Sequence, residues 1–162
     1  MTNHNAPTVT HILFICLGNI CRSPAAQGIM QHLVDAAGQS DRIIIDSAGI
    51  GPWHIGELPD ERMRRHGKVH GYTFDHRARQ FSAARDFRQF DLIVTMDNEN
   101  YQIITGMAHS EAQRRRVVRM ADYLHEHPGT EAVPDPYYGG EKDFEWAIEL
   151  LEDGCKHLLQ VL

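Results

Sequence analysis

The chain has 162 residues, 42% hydrophobic and 23% charged, enough for one folded domain with its own core and too apolar for a disordered chain. Its formal net charge of −6 argues against a nucleic-acid binder, because no surplus of Lys and Arg is present to displace phosphate counterions. Three cysteines (Cys16, Cys21 and Cys155) make no disulfide framework and point to a reducing, cytoplasmic setting, and the apolar run Val9–Leu17 is too short to span a membrane.

Residues 1–8 read as a loose polar leader, and no repeat or linker divides the remainder, so 1–162 is expected to be a single domain. Val9–Ile15, apolar and β-branched, predicts a buried strand ended by the Gly18-Asn19 turn signal. From Ser23 the pattern turns helical. Pro24 suits the first turn, Ala26, Ile29, Met30, Leu33, Val34 and Ala37 recur on one face, and Gly38 closes the element. Arg42–Ser47 predicts the second strand, Pro59–His66 a helix stopped at Gly67, and Ser82–Gln89 a short helix with Ser82 as its N-cap. Leu92–Met96 is the third strand, Asn98–Ala108 the helix after it, Val117–Met120 the fourth strand and Asp143–Val161 a closing amphipathic helix. Strands alternating with helices predict an α/β domain with a parallel sheet, whose ligand sits at the carboxyl ends of the strands. The loop Cys16–Ser23 emerges there.

That loop has the spacing Cys-x5-Arg between a strand and a helix. Gly18 permits unusual backbone angles, so that successive amides from Leu17, Gly18, Asn19, Ile20 and Cys21 can turn inward and form an anion nest. The helix N-terminus adds orphan donors, and Arg22 adds a planar fork matched to two phosphate oxygens. Cys16 at the strand end would face the same positive pocket, which favours a thiolate nucleophile. A cysteine in this place can also be simply packed, and Ser23 can serve either as a helix N-cap or as a hydroxyl donor to Cys16. A nucleotide loop of the Gly-x4-Gly-Lys type is absent. Cys-x4-Cys has no second pair to complete a metal site, and His125-Glu126-His127 lacks the helical i, i+4 spacing of a zinc motif. The residues therefore call for no metal and no cofactor.

Cys16–Pro24 resembles the signature of the low-molecular-weight protein tyrosine phosphatases. The resemblance extends through Asp46-Ser47-Ala48-Gly49, Trp53, His76-Arg77-Ala78-Arg79-Gln80, Met96-Asp97 and Asp135-Pro136-Tyr137-Tyr138-Gly139, in the family's order. It implies a four-stranded parallel sheet with helices on both faces, a flavodoxin-like three-layer sandwich. It also implies hydrolysis of protein phosphotyrosine, and of small aryl phosphates, through a phosphocysteine at Cys16.

Asp135 lies between two prolines in a Gly- and Tyr-rich segment and by itself reads as an exposed turn residue. The resemblance makes it the general acid and base. It likewise implies that Asn19, Ser47 and His76 form a polar network holding the loop. Cys21 would be a partner for Cys16 on oxidation, although the residue alone reads equally as loop packing. Trp53, Tyr137 and Tyr138 are loop aromatics outside the periodic core pattern, and the resemblance makes them the walls of a cleft for the substrate ring. Ile20 stands where a related arginine-phosphatase branch has Thr, which favours phosphotyrosine. Cys155 falls on the apolar stripe of the last helix with Ile148, Leu151, Leu158 and Leu159, and Arg114-Arg115-Arg116 reads as a solvated face.

Three rivals are weaker. A thioredoxin-coupled arsenate reductase needs resolving cysteines in mid-chain, and none lies between 21 and 155. A catalytically silent phospholigand module predicts loss of Cys16, Arg22 or Asp135, and a rhodanese-like sulfurtransferase has no need of Asp135. The expected partners are phosphotyrosine proteins, with a bacterial tyrosine kinase added by family analogy alone.

Overall fold

The computed structural model describes residues 8–162; residues 1–7 of the expected leader lie outside the described residues. Four strands, β1 (Thr10–Cys16), β2 (Ile43–Gly49), β3 (Leu92–Thr95) and β4 (Val117–Arg119), form one sheet in the order β2-β1-β3-β4. Every pair is parallel, with Phe14 opposite Ser47 on one side and Val94 on the other. Parallel neighbours need crossover connections, and here these carry helices α1 (Arg22–Ala36), α2 (Glu61–Val69), α3 (Ala83–Gln89), α4 (Asn98–Gly106) and α5 (Glu111–Arg115). A 3-10 turn (Met120–Tyr123) follows β4, and α6 (Glu141–Gln160) closes the chain.

The alternation along β1 divides the core. Ile12, Phe14 and Cys16 point to one face, where Ile29 and Met30 of α1, Met63 of α2 and Phe144, Ile148, Leu151 and Cys155 of α6 pack. Leu13 and Ile15 point to the other, against Phe81, Phe87, Phe90 and Ile104. Each such side chain contributes about 2 kcal/mol on leaving water. Helices therefore cover both faces of the sheet, as the three-layer expectation requires. β1 lies at the centre, and its carboxyl end places Cys16 at the top of the sheet.

Element ends differ from the sequence expectation where a tertiary contact decides them. β2 runs on to Gly49, because β1 pairs with it as far as Cys16. α1 begins at Arg22, so Ser23 lies inside the first turn and is not the N-cap. α2 starts after Asp60, whose carboxylate accepts the Arg62 N–H at 2.8 Å. It then passes through Gly67, where the ring of Phe74 occupies the space a Cβ would need. Ser82 does precede α3, but its hydroxyl caps nothing; its own N–H donates to Asp86 at 2.8 Å. α4 ends at Gly106, β4 ends at Arg119, and α6 starts two residues early. Asp143 accepts the Gly140 N–H at 2.8 Å and so fixes the entry to α6. The short α5 has no counterpart in the sequence reading. It is capped by Ser110, and Glu111 pairs with Arg114 and Arg115.

Candidate active site

The loop between β1 and α1 is held from outside by its carbonyls. Those of Cys16, Leu17 and Ile20 accept N–H groups of Ile50, Gly51 and Asp60 at 3.0, 3.0 and 2.7 Å. The amides of Leu17–Cys21, by contrast, find no acceptor among the described residues. Unpaired amides along one loop are what an anion nest requires.

The left-handed residue of the loop is Asn19, with φ 58°, and not Gly18. Gly18 serves close approach, since a Cβ there would come within 3.1 Å of the His54 ring. A second glycine, the last residue of the Asp46–Gly49 motif, matters as much. A Cβ on Gly49 would lie 2.9 Å from the Gly18 carbonyl carbon and 3.0 Å from the Asn19 nitrogen, so the end of β2 abuts the loop only because Gly49 has no side chain.

Asn19 is fully buried and repays its backbone strain with three bonds. Its Nδ2 donates to Ser23 Oγ at 2.8 Å and Ser47 Oγ at 2.9 Å, and its Oδ1 accepts the Arg79 N–H at 3.0 Å. Ser47 donates onward to Gln27 at 2.5 Å. Arg79 is itself clamped, with its guanidinium on Asp46 at 2.9 Å and on the fully buried Asp86 of α3 at 3.1 Å. His76 makes none of these bonds. It stands 3.6 Å from Asp46 with its Nε2 buried and unpaired, and burial pushes the imidazole below its ordinary value against the pull of Asp46. Gln27, Arg79, Asp86 and Gly49 are thus supporting residues that the sequence reading did not single out.

Inside the loop, Cys16 Sγ lies 3.0 Å from Ser23 Oγ, close enough for the hydroxyl to donate to a sulfur anion. Arg22 is 3% exposed in its side chain, and its Nη1 is pinned on Asp97 at 2.7 Å and on the Val133 carbonyl at 3.0 Å. Asp97 also caps α4 by accepting the Asn100 N–H at 2.7 Å. With Nη1 occupied, the Nε–Nη2 edge is left. Nε is buried without a partner, and Nη2 stands 3.7 Å from Asp135 Oδ2. Burial works against the guanidinium charge, but Cys16, Asp97 and Asp135 outweigh it and hold Arg22 above its usual range. A buried fork with one unsatisfied N–H is a place for a tetrahedral oxyanion.

Cys21 is buried a few residues away. Its burial, then Asp60, Cys16 and Asp135, push its thiol far upward and keep it protonated. All three cysteines are free thiols, and Cys155 sits in the core as expected.

The cleft above the loop measures about 350 Å³ and is walled by Trp53, His54, Tyr137, Tyr138 and Asp135, with Ile20 in its lining. Trp53 and Tyr138 are 64% and 94% exposed, so they form a rim with an apolar surface and no core role. Tyr137 packs edge-on against Tyr138 at 4.9 Å, and Arg62 of α2 straps this rim by donating to the Tyr137 carbonyl at 2.9 Å. Asp135 Oδ1 accepts the Tyr137 N–H at 3.1 Å, which holds its carboxyl over the fork. A wider groove of about 580 Å³ between α2 and α6, lined by His66, Glu141, Glu145 and Trp146, is more open and has no cysteine in its lining.

This arrangement of thiol, unpaired loop amides, guanidinium and carboxyl belongs to a chain with known relatives. Residues 11–162 match the family model described as low molecular weight phosphotyrosine protein phosphatase. The low molecular weight protein-tyrosine-phosphatase YfkJ of Bacillus subtilis is 40% identical over 148 residues, 91% of this chain and 92% of its own. A protein tyrosine phosphatase from Entamoeba histolytica, crystallised with Hepes in the active site, superposes with a TM-score of 0.89 at 41% identity, covering 93% of this chain and 95% of that one. An arginine phosphatase from Drosophila superposes at 0.85 with 33% identity, covering 93% and 96%. The chain belongs to the low molecular weight phosphotyrosine protein phosphatase family, a family of hydrolases.

Proposed function

We propose that the chain hydrolyses phosphotyrosine in proteins, and small aryl phosphates, through a phosphocysteine at Cys16. The observation that carries this reading is the buried, unpartnered Nε of Arg22 beside loop amides that have no acceptor and a thiol. The phosphoryl oxygens occupy the nest and the fork, and phosphorus is placed above Cys16 Sγ. As the S–P bond forms, the P–O bond to the tyrosine breaks, and Asp135 delivers its proton to the departing phenolate. Water then attacks phosphorus and gives its proton to the Asp135 carboxylate. The S–P bond breaks, and the Ser23 hydroxyl donates to the sulfur as it leaves. Inorganic phosphate is released and every group returns to its starting state.

The aromatic rim supports phosphotyrosine as the substrate class, since a ring fits between Trp53 and the tyrosine pair while a short alkyl phosphate cannot fill that depth. The fold alone does not choose between tyrosine and arginine phosphate, as the Drosophila enzyme superposes with a TM-score of 0.85 against 0.89 for the Entamoeba tyrosine phosphatase. The apolar Ile20 in the lining favours the aryl ester. Phosphotyrosine proteins, an autophosphorylated bacterial tyrosine kinase among them, are the partners of this reading. A cytoplasmic setting is supported by the three free thiols, and no helix among the described residues is long and apolar enough to cross a membrane.

Rapid acid quench followed by mass spectrometry tests the mechanism. With a series of aryl phosphates the adduct is expected on Cys16, and Asp135→Ala is expected to form it more slowly the poorer the leaving group. Turnover without an adduct would remove Cys16 from its role, and equal losses across the series would remove Asp135.

A further inference from the structure

Helix α1 reaches the sulfur by two arms set one turn apart. Ser23 and Gln27 stand at i and i+4 on the same face of the helix. Ser23 meets Cys16 Sγ directly at 3.0 Å, and Gln27 reaches the same group the long way, through Ser47 of β2 and Asn19 of the loop. The two arms close a ring. Asn19, Ser23 and Ser47 are fully buried, so protein groups and not bulk water must satisfy their polar atoms.

Each proton in this ring has one direction. The Arg79 main-chain N–H can only donate, and it holds Asn19 Oδ1 toward itself at 3.0 Å. The amide nitrogen of Asn19 therefore faces both hydroxyls and donates to both, at 2.8 Å to Ser23 and 2.9 Å to Ser47. Ser47 passes its own proton on to Gln27 Oε1 at 2.5 Å. Ser23, filled by Asn19 on one side, has its proton left for the sulfur. Without an acceptor at Gln27, the Ser47 hydroxyl would be buried with its proton unplaced. Turning it would then take away one of the two hydroxyls that hold the Asn19 amide nitrogen.

We infer, on the phosphocysteine route proposed above, that Gln27 is a positioning residue for the second step, keeping Ser23 a hydrogen-bond donor to the departing sulfur. While the phosphocysteine forms, the sulfur gives up its negative charge, so a donor to it lends nothing to that transition state. In hydrolysis water attacks phosphorus, its proton goes to the Asp135 carboxylate, and the S–P electron pair returns to sulfur. A hydroxyl that donates there, keeping its own proton, stabilises the charge as it develops. Gln27 thus bears on one step and not on the other.

Rapid-quench kinetics with p-nitrophenyl phosphate, whose good leaving group makes formation fast, tests this role. Gln27→Met keeps the length of the side chain and removes the acceptor. It is expected to leave the burst rate within about twofold and to slow phosphocysteine hydrolysis about fivefold, so that kcat and KM fall together. Gln27→Glu, which accepts at either oxygen, is expected to restore hydrolysis. Added to Ser47→Ala, Gln27→Met is expected to cost nothing further. Gln31→Met is the control, since it loses a 2.8 Å bond to Asp35 on the same helix and is expected to leave both steps unchanged. Hydrolysis unchanged in Gln27→Met, equal slowing of both steps, equal losses in the Met and Glu variants, or losses that multiply in the double variant would overturn this role of Gln27. Turnover of the natural chain without a phosphocysteine would overturn the route itself, and the role with it.

Discussion

At the scale of the residue, the loop depends on side chains that do two things at once. Asn19 accepts a left-handed backbone and ties three segments together; Asp97 caps α4 and pins Arg22. The two contributions of Asn19 can be separated. Asn19→Gly keeps the φ of 58° without strain and loses the bonds, whereas Asn19→Ala loses the bonds and keeps the strain. Both variants are expected to lower kcat/KM, and urea unfolding is expected to find Ala less stable than Gly by about 1 kcal/mol. Equal stabilities would show that φ carries no cost here. The sequence made Cys16, Arg22 and the nest legible because they are neighbours in the chain. It misassigned the special backbone angle to Gly18, since nothing local says that His54 is the reason for that glycine. Gly49, Arg79 and Asp97 fell within the motifs that carry the resemblance, but their roles were not legible for the same cause: their partners are tens of residues away.

At the scale of the element, helix starts were legible and their caps were not. Ser82 stands at the right place yet caps nothing, because Asp86 takes its N–H and also receives Arg79. Asp60 caps α2 and binds the Arg62 guanidinium at 3.0 Å. Partial burial raises the Asp60 carboxyl, but the hydrogen bonds and charge of Arg62 outweigh it and hold the group below its ordinary value. A depressed carboxylate stabilises the fold above the unfolded value of about 4 and loses that contribution as pH falls through the folded value. Asp60→Asn is therefore expected to cost about 1 kcal/mol at pH 7. The gap from the natural chain should narrow below about pH 4. Denaturation curves at pH 7 and pH 3 check both statements, and a gap that stays constant would contradict the ionic part.

At the scale of the whole molecule, the site is a small recess holding one buried guanidinium in a protein of net charge −6. Long-range repulsion therefore opposes the approach of every anionic substrate, and salt weakens it over about 8–10 Å. For a phosphotyrosine peptide with acidic flanks, kcat/KM is expected to rise with ionic strength. For one with basic flanks it is expected to fall. A stopped-flow series from low to physiological salt decides this, and parallel trends would show that the surface field plays no part. The alternation of strands and helices followed from hydrophobic periodicity, most clearly at the central β1, whose run is buried on both faces, while the helices on both sides of the sheet were implied by the family resemblance. What periodicity does not reveal is how the layers are coupled. Asp86 belongs to α3, yet it grips Arg79, whose amide holds Asn19, whose side chain holds Ser23 beside the sulfur. Damage to that helix can therefore leave a protein that folds, stays folded and turns over slowly, a defect that a stability screen passes and only a rate assay detects.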